Sequence, residues 1–502
     1  LTVPAWATMF TGKNPGKLGL FGLASRKKED YSIGGPPLSW DDIYPVWEIL
    51  ERSNSNSTVI SVPTTSVPEK DFGGTFVAGT GPMIGKGSED KIAIPASLDQ
   101  RLKDNDYRLH LRPSNASRKS PQGKRQYLED LEELTESRFE LGTRLMADKD
   151  WDLFVFSLFH TDMTQHIFWR DYLEGGEFKD SILDYYREID TKLGRLLEKA
   201  PEDSNVIVVS DHGHTELKKE IDLNRFLVNR GWMEMESEEK SKVTKRGIAE
   251  LLNNLGLKEA YKKIRELPGV RALDNRLRDS VPLDELSSED VNWSRTRAYS
   301  YSLAGVYLNV AGREPRGVID KGEEYEAVRE DIINVLQGLQ DPETGEKVAR
   351  GVFKKEEVYS GPYMEEAPDI LIDYLDPYQD SHSEPAPQHE SVFNEPSSFF
   401  TSTHTRDGIF IASGSDIKPG GKLKDDQVDI QDVTPLILHL LGLEIPGDAD
   451  GRVPTEIFTE DSEASSRKPE FFEPPENVTS EKELTDKENE EVKERLEDLG
   501  YL

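Results

Sequence analysis

Four consecutive β-branched residues, Val206-Ile207-Val208-Val209, break into Ser210-Asp211-His212-Gly213-His214. An unbroken apolar run of this kind predicts a strand buried on both faces, as in a parallel sheet. A second run, Leu153 to Phe159, ends in His160-Thr161-Asp162-Met163-Thr164-Gln165-His166. Residues 124–147 carry Leu128, Leu131, Leu134, Phe139, Leu141 and Leu145 among many charges, a long helix with one apolar stripe that leads into the first of these strands. Residues 181–199 give Ile182, Leu183, Tyr186, Ile189, Leu193, Leu196 and Leu197, a second amphipathic helix leading into the other. Strand, helix and strand joined by short links predict an α/β fold with a mostly parallel central sheet flanked by helices.

The flanking pattern extends this picture. Leu1 to Gly12 reads as a helix with Pro4 near its first turn and Gly12 as its stop. Gly12-Lys13-Asn14-Pro15-Gly16-Lys17 is a turn-rich loop whose Gly/Lys spacing is wrong for a P-loop. Trp40 to Arg52 predicts a helix, Ser57 to Val62 a strand, and Pro63 to Gly87 a Gly/Pro-rich loop beside an opening. Further strands are expected within 298–310, at 369–373 and at 409–412, with helices at 323–339 and 429–442. Residues 376–398 read as a mobile loop in which His382 and His389 are solvated, and His439 falls on the core side of its helix. The expected organisation is a core's first part at 1–235, a helical cap inserted at 236–297, and the core's second part at 298–458. An acidic disordered linker at 459–478 and a capped helix at 479–502 follow.

Composition narrows the function classes. The chain has 502 residues and no Cys, which excludes disulfides and Cys-ligated zinc. No apolar stretch is long enough for a membrane-spanning helix. The formal charge of −34 repels nucleic acid and anionic lipid. It reads as an acidic, halophile-like surface, and a cytoplasmic location is expected over a secreted one. The first residue is Leu, and the pattern starts inside a motif, so an N-terminally incomplete sequence is expected.

Both apolar runs release Asp and His at strand ends, where open α/β sheets place their chemistry. Asp162 and His166 are four apart and share a face at the start of a helix. Asp211 and His212 form the second pair. Oxygen and imidazole ligands suit zinc or manganese, although a buried Asp–His hydrogen bond is at least as common as a metal ligand. Thr2 lies at the entrance of the first helix, where amide donors and the helix dipole favour a phosphate group; an ordinary Thr near an N-cap is the simpler reading of that segment. His404 stands before the strand at 409–412, a place where a lone His is usually structural.

Together these pieces resemble the alkaline phosphatase superfamily, in the predicted phosphohydrolase/phosphomutase branch near type I phosphodiesterase/nucleotide pyrophosphatases. The resemblance runs from Leu1 to about Phe458 through Thr2-Val-Pro-Ala-Trp6, Thr161-Asp-Met-Thr-Gln-His166, Ser210-Asp-His-Gly213 and Thr403-His-Thr-Arg-Asp-Gly-Ile-Phe410. Asp432-Val-Thr-Pro-Leu436 and Asp450-Gly-Arg452 fit as well. The resemblance implies Thr2 as nucleophile, Asp211 and His212 on one divalent metal, and Asp162, His166 and His404 on another, the metals being zinc or manganese. His160, His214 and His439 match no ligand position. The family carries one more Asp, at the end of a strand before the nucleophile, which has no counterpart here, and Leu18 stands where relatives often carry His.

The implied activity is hydrolysis of a small phosphate ester, of the phosphodiester or nucleotide pyrophosphate type, through a phospho-threonine. A phosphomutase shares the metals and differs in the cap; a non-catalytic metal-binding homologue is the reading from another class. A sulfatase would need Cys or Ser where Thr2 stands. The acidity generates a prediction of its own. A halophilic surface should melt at higher temperature in molar KCl than at low salt, because screening relieves self-repulsion. A melting temperature that stays flat or falls over that range would rule the halophilic reading out.

Overall fold

The computed structural model describes residues 2–474 apart from 23–24, 27–29, 32, 35–39, 69–71, 80–90, 112–119, 149, 237–286, 302–304, 382–384, 397–400 and 424–427. The expected cap helix at 246–264, His382 and the terminal helix lie outside the described residues. Strand Ser57–Ile60 runs parallel to both of its neighbours, Thr75–Val77 and Leu153–Phe156. Ala93–Ile94 adds an antiparallel edge beyond Thr75–Val77. Helix Pro121–Asp148 lies over this sheet, burying Leu131, Leu134, Phe139, Leu141 and Leu145. Phe139 meets Phe156 with ring centroids 5.0 Å apart. Burying an aliphatic or aromatic side chain of this size stabilises the fold by about 1.5–3 kcal/mol.

The parallel pairing expected between the two site-bearing strands does not form among the described residues. Val206–Val209 pairs antiparallel with Phe410–Ser413 instead, with Val209 opposite Phe410. Nor is that strand buried on both faces, since Val208 is 38% exposed. A connecting helix fixes the direction of the next strand more firmly than its neighbour, because a crossover can pass over other positions in the sheet. Two more differences have local causes. The helix expected over Trp40 to Arg52 is split into Trp40–Ile43 and Val46–Arg52. Pro45 lacks the N–H that would continue it, and Tyr44 before it turns to φ +59°. The expected loop after Pro63 contains the three-residue strand Thr75–Val77, too short for its periodicity to register.

Residues 219–235 and 291–394 supply a second hydrophobic cluster. Its antiparallel sheet runs in the order Ala298–Ser300, Val306–Leu308, Ile370–Tyr374, Ala349–Lys354. Helix Glu323–Gln337 buries Val328, Ile332, Ile333 and Leu336. The segment expected as a mobile loop at 376–398 is tied down: Tyr378–Asp380 runs parallel to Lys219–Ile221, and Phe393–Asn394 pairs with it from the other side. His389, expected to be solvated, places Nδ1 3.3 Å from Oδ2 of the buried Asp222. The acidic stretch expected to be disordered carries helix Glu463–Ser466, capped by Ser462, and strand Phe471–Phe472 against Ile445–Pro446.

One carboxylate organises the second cluster. Asp369 is 0% exposed and takes both arms of Arg313, at 2.8 and 2.6 Å, the Tyr325 hydroxyl at 2.8 Å and the Leu308 N–H at 2.7 Å. Lys355 Nζ lies 3.1 Å away. Burial works to raise its pKa, but the hydrogen bonds and charge of Arg313 outweigh it and hold the carboxyl well below its ordinary range. A group depressed in this way stabilises the fold above its unfolded pKa and loses that contribution as pH falls. Asp369→Asn should therefore cost about 3–5 kcal/mol at pH 7, by removing the charge that buried Arg313 and Lys355 share and leaving Glu314 as the carboxylate beside Arg313. The gap from wild type should shrink below about pH 4, where the unfolded carboxyl takes up its proton. Urea unfolding of both proteins across pH checks this; a gap independent of pH would refute the linkage.

Candidate metal centre

The site is built where the Gly213–Glu216 and Ser402–Thr405 strands pair antiparallel, with helix His160–Glu174 against them. The register sets His404 opposite His214 and Thr405 opposite Gly213. Gly213 is required for that approach: a Cβ there would lie 2.4 Å from the Asp407 carbonyl oxygen and 2.5 Å from Thr405 Oγ1. The helix starts at His160, so Asp162 and His166 fall on one face of its first turns, as their spacing predicts.

Four side chains converge. One possible ligand atom from each of Asp162, His166, His214 and His404 lies within 4.8 Å of the other three. Around Asp162 Oδ1, His214 Nε2 stands at 2.9 Å, His404 Nε2 at 3.3 Å and His166 Nε2 at 3.4 Å. His166 Nε2 and His404 Nε2 are 3.0 Å apart. His212 Nε2 lies 3.8 Å from Asp162 Oδ1 and 3.3 Å from Asp211 Oδ2, which joins the second Asp–His pair to the edge of the first group. Asp162 Oδ2 is buried without a hydrogen-bond partner.

Asp162, His166 and His404 are thus brought together, and Asp211 and His212 stand beside them. His214, which matches no ligand position in the resemblance, joins the group. A signal for it was present in the sequence: side chains two apart in an extended segment point to one side, and His214 is two residues from His212. The other two histidines left out behave as structural ones. His160 Nε2 accepts from the Leu111 N–H at 3.3 Å, and His439 Nε2 donates to the Ala464 carbonyl at 2.8 Å.

The electrostatics favour a cation. Burial holds the His212 pKa at about 3, lowers that of His214, and lowers that of His404 well below its ordinary value. These imidazoles keep neutral nitrogen lone pairs. Burial works to raise the pKa of Asp162, but the charge of His166 and the hydrogen bonds from the histidines overcome it and keep the carboxyl well below its usual range. Asp211 is pushed up to about 7 by burial and then by the Asp162 charge. The geometry fits a divalent ion. Two imidazole nitrogens facing each other at 3.0 Å can share at most one proton, and a cation at the focus of these nitrogens and Asp162 Oδ1 relieves that conflict. Three imidazoles with a carboxylate suit zinc or manganese.

Thr2 is the first residue of helix Thr2–Thr11 and is 6% exposed, with Oγ1 buried and lacking a hydrogen-bond partner. The far end of that helix is clamped. Gly12 ends it at φ +72°, where a Cβ would press on Pro435 at 3.1 Å. The Thr434 hydroxyl donates to the Met9 carbonyl at 2.7 Å, Lys13 Nζ is 2.7 Å from Asp448, and the Asp450 N–H donates to the Gly12 carbonyl at 2.7 Å. The Asp432–Leu436 and Asp450–Arg452 segments therefore serve to hold the helix that begins with Thr2. Leu18 is fully buried in the core.

A carboxylate and three imidazoles converging on one point form a group that could hold a metal ion. The type I phosphodiesterase/nucleotide pyrophosphatase family model matches residues 1–300, more than half of the chain, and the chain belongs to that family, within the alkaline phosphatase superfamily. It is an enzyme acting on phosphoric ester bonds. No curated protein sequence matches it. Among solved structures, it is similar to murine ectonucleotide pyrophosphatase/phosphodiesterase 5 at 15% identity, over 91% of this chain and 88% of that one, with a TM-score of 0.46. It is also similar to phosphonoacetate hydrolase from Sinorhizobium meliloti at 12% identity, over 88% and 84% of the two chains, with a TM-score of 0.47. No helix among the described residues is long and apolar enough to cross a membrane.

The four-residue group makes a direct prediction. His404→Ala should weaken zinc or manganese binding by at least about tenfold, the lower end of what outer-shell partners alone contribute. His160→Ala, on the same helix as Asp162 but bonded to the Leu111 N–H, should leave affinity unchanged. Competition against a chromophoric chelator measures both. Equal effects of the two substitutions would remove His404 from the ligand set.

Proposed function

We propose that the protein hydrolyses a phosphodiester or nucleotide pyrophosphate through a phospho-threonine on Thr2, with two divalent metals. The observation that carries this reading is the convergence of Asp162, His166, His214 and His404 on one point, with Asp211 and His212 beside it. Asp162, His166 and His404, now with His214, would hold one metal; Asp211 and His212 would hold the other. Bound divalent metal supplies the positive charge that stabilises a Thr alkoxide and the phosphoryl oxygens.

The state of Thr2 supports its role. Its Oγ1 is buried and meets no hydrogen-bond partner among the described residues, so no intramolecular bond competes for the hydroxyl. The helix entrance also offers amide N–H groups to phosphoryl oxygens. In the first step the Thr2 hydroxyl gives its proton to solvent and its oxygen bonds to phosphorus, while the leaving ester oxygen departs with the bonding electron pair. In the second, water attacks the same phosphorus, the Thr2–phosphorus bond breaks, and the hydroxyl is restored.

Thr2→Ala should abolish turnover of an aryl phosphodiester while retaining metal affinity and melting temperature. In the wild type, rapid acid quenching during turnover should leave a phosphorylated peptide containing Thr2. Near-wild-type turnover by the variant would sink the nucleophile assignment and leave metal binding as the surviving function.

A further inference from the structure

Ser402 sits beneath two of the clustered histidines and uses two different atoms to meet them. It is 1% exposed. Its carbonyl oxygen and its Oγ each lie 3.2 Å from His166 Nδ1, and the same Oγ lies 3.2 Å from His214 Nδ1. The strand is pinned at this point. The Thr401 N–H and hydroxyl both donate to the His166 carbonyl at 3.0 Å, and the Arg170 N–H donates to the Thr401 hydroxyl at 3.1 Å. Ser402 is therefore fixed against the helix that carries His166 and, through its strand, against the strand that carries His214.

We infer that Ser402 is the positioning residue that presents His166 and His214 to a single metal ion. This rests on the metal-centre reading proposed above and deepens it. A neutral imidazole carries one N–H, and whichever nitrogen bears it is lost as a ligand. Ser402 offers two acceptors, and two Nδ1–H groups face them. His166 donates to the carbonyl oxygen and His214 to Oγ. With an ion at the shared focus, both protons would sit on Nδ1 and both Nε2 lone pairs would be free for the metal in place of their contacts to Asp162 Oδ1. No other residue type does this with comparable economy. The carbonyl belongs to any residue, but the second acceptor needs a short side-chain oxygen held at that point, which Ser or Thr provides. The sequence shows why one residue serves both. Ser402 and His404 are two apart on one strand, so the strand that delivers a histidine to the cluster also delivers the acceptor that orients the other two.

The test measures metal affinity by competition with a chromophoric chelator, alongside the melting temperature of each metal-free protein. Ser402→Ala keeps the carbonyl and removes Oγ, so it should weaken zinc or manganese binding about tenfold, the usual size of such an outer-shell loss. Ser402→Thr should restore affinity to within about threefold of wild type, because the hydroxyl returns. His214→Ala should lower affinity at least as much as Ser402→Ala, and adding Ser402→Ala to it should cost less than about twofold more, since His214 is gone and His166 keeps the Ser402 carbonyl as its acceptor. Wild-type protein that binds metal, with Ser402→Ala binding equally well, overturns the inference and leaves the metal centre standing. Wild-type protein that binds neither ion overturns both. A Ser402→Ala loss that Thr does not restore, or that adds in full to the His214→Ala loss, assigns Ser402 to general packing and overturns the inference as well.

Discussion

The site depends on one buried carboxylate. Asp162 Oδ1 is the point toward which three imidazole nitrogens are aimed, and its own surroundings work against its charge. An ionised carboxylate removed from water is stable only when its lone pairs are met by donors or by a cation. The chain meets this demand with contributions from three elements that are remote in sequence. Helix His160–Glu174 carries Asp162 and His166, strand Gly213–Glu216 carries His214, and strand Ser402–Thr405 carries His404. The pairing of the two strands and their seat on the helix are thus conditions for keeping Asp162 charged.

The same demand explains features that look local. Gly213 admits the neighbouring strand at a distance no Cβ would allow. The Thr401 contacts to the His166 carbonyl fix that strand against the helix. Helix Thr2–Thr11 is held in another way, tied in place by the Thr434 hydroxyl, Asp448 and Asp450. These anchors act on backbone atoms or on charges at loop positions. They leave the Thr2 hydroxyl without a partner of its own at the start of the helix.

Legibility in the sequence follows the range of the interaction. The Asp162–His166 face was readable because helical spacing alone creates it. The strands at 57–60, 153–156 and 206–209 were readable from unbroken β-branched and aromatic runs. What pairs with what was not. Nothing within 206–209 specifies that Phe410–Ser413 will be its partner, and the expected parallel neighbour was an inference from connection length. His404 illustrates the same limit. Alone it is an ordinary strand histidine, and only its position opposite His214 brings it to Asp162, a contact spanning 242 residues of chain between Asp162 and His404. Ordered motifs shared with a family carried that information where periodicity did not. They also hid His214, because a residue matching no family ligand was set aside although its spacing from His212 pointed toward the group.

The charge balance shows why metal chemistry suits this fold. A phosphodiester is an anion, and the chain as a whole carries −34. The clustered residues do not reverse that locally: Asp162 is held ionised, Asp211 titrates at about 7, and burial keeps His212, His214 and His404 from acquiring protons near neutral pH. Protonated histidines would attract phosphate weakly and would abandon their lone pairs to do it. Neutral histidines beside carboxylates suit a divalent cation instead, and an ion held at Asp162, His166, His214 and His404 would offset the Asp162 charge. Desolvation, which makes a buried carboxylate costly, is therefore the same force that keeps the nitrogens available. In an acidic chain, burial that keeps His212, His214 and His404 neutral leaves nitrogen lone pairs beside Asp162, the donor set that a divalent cation needs.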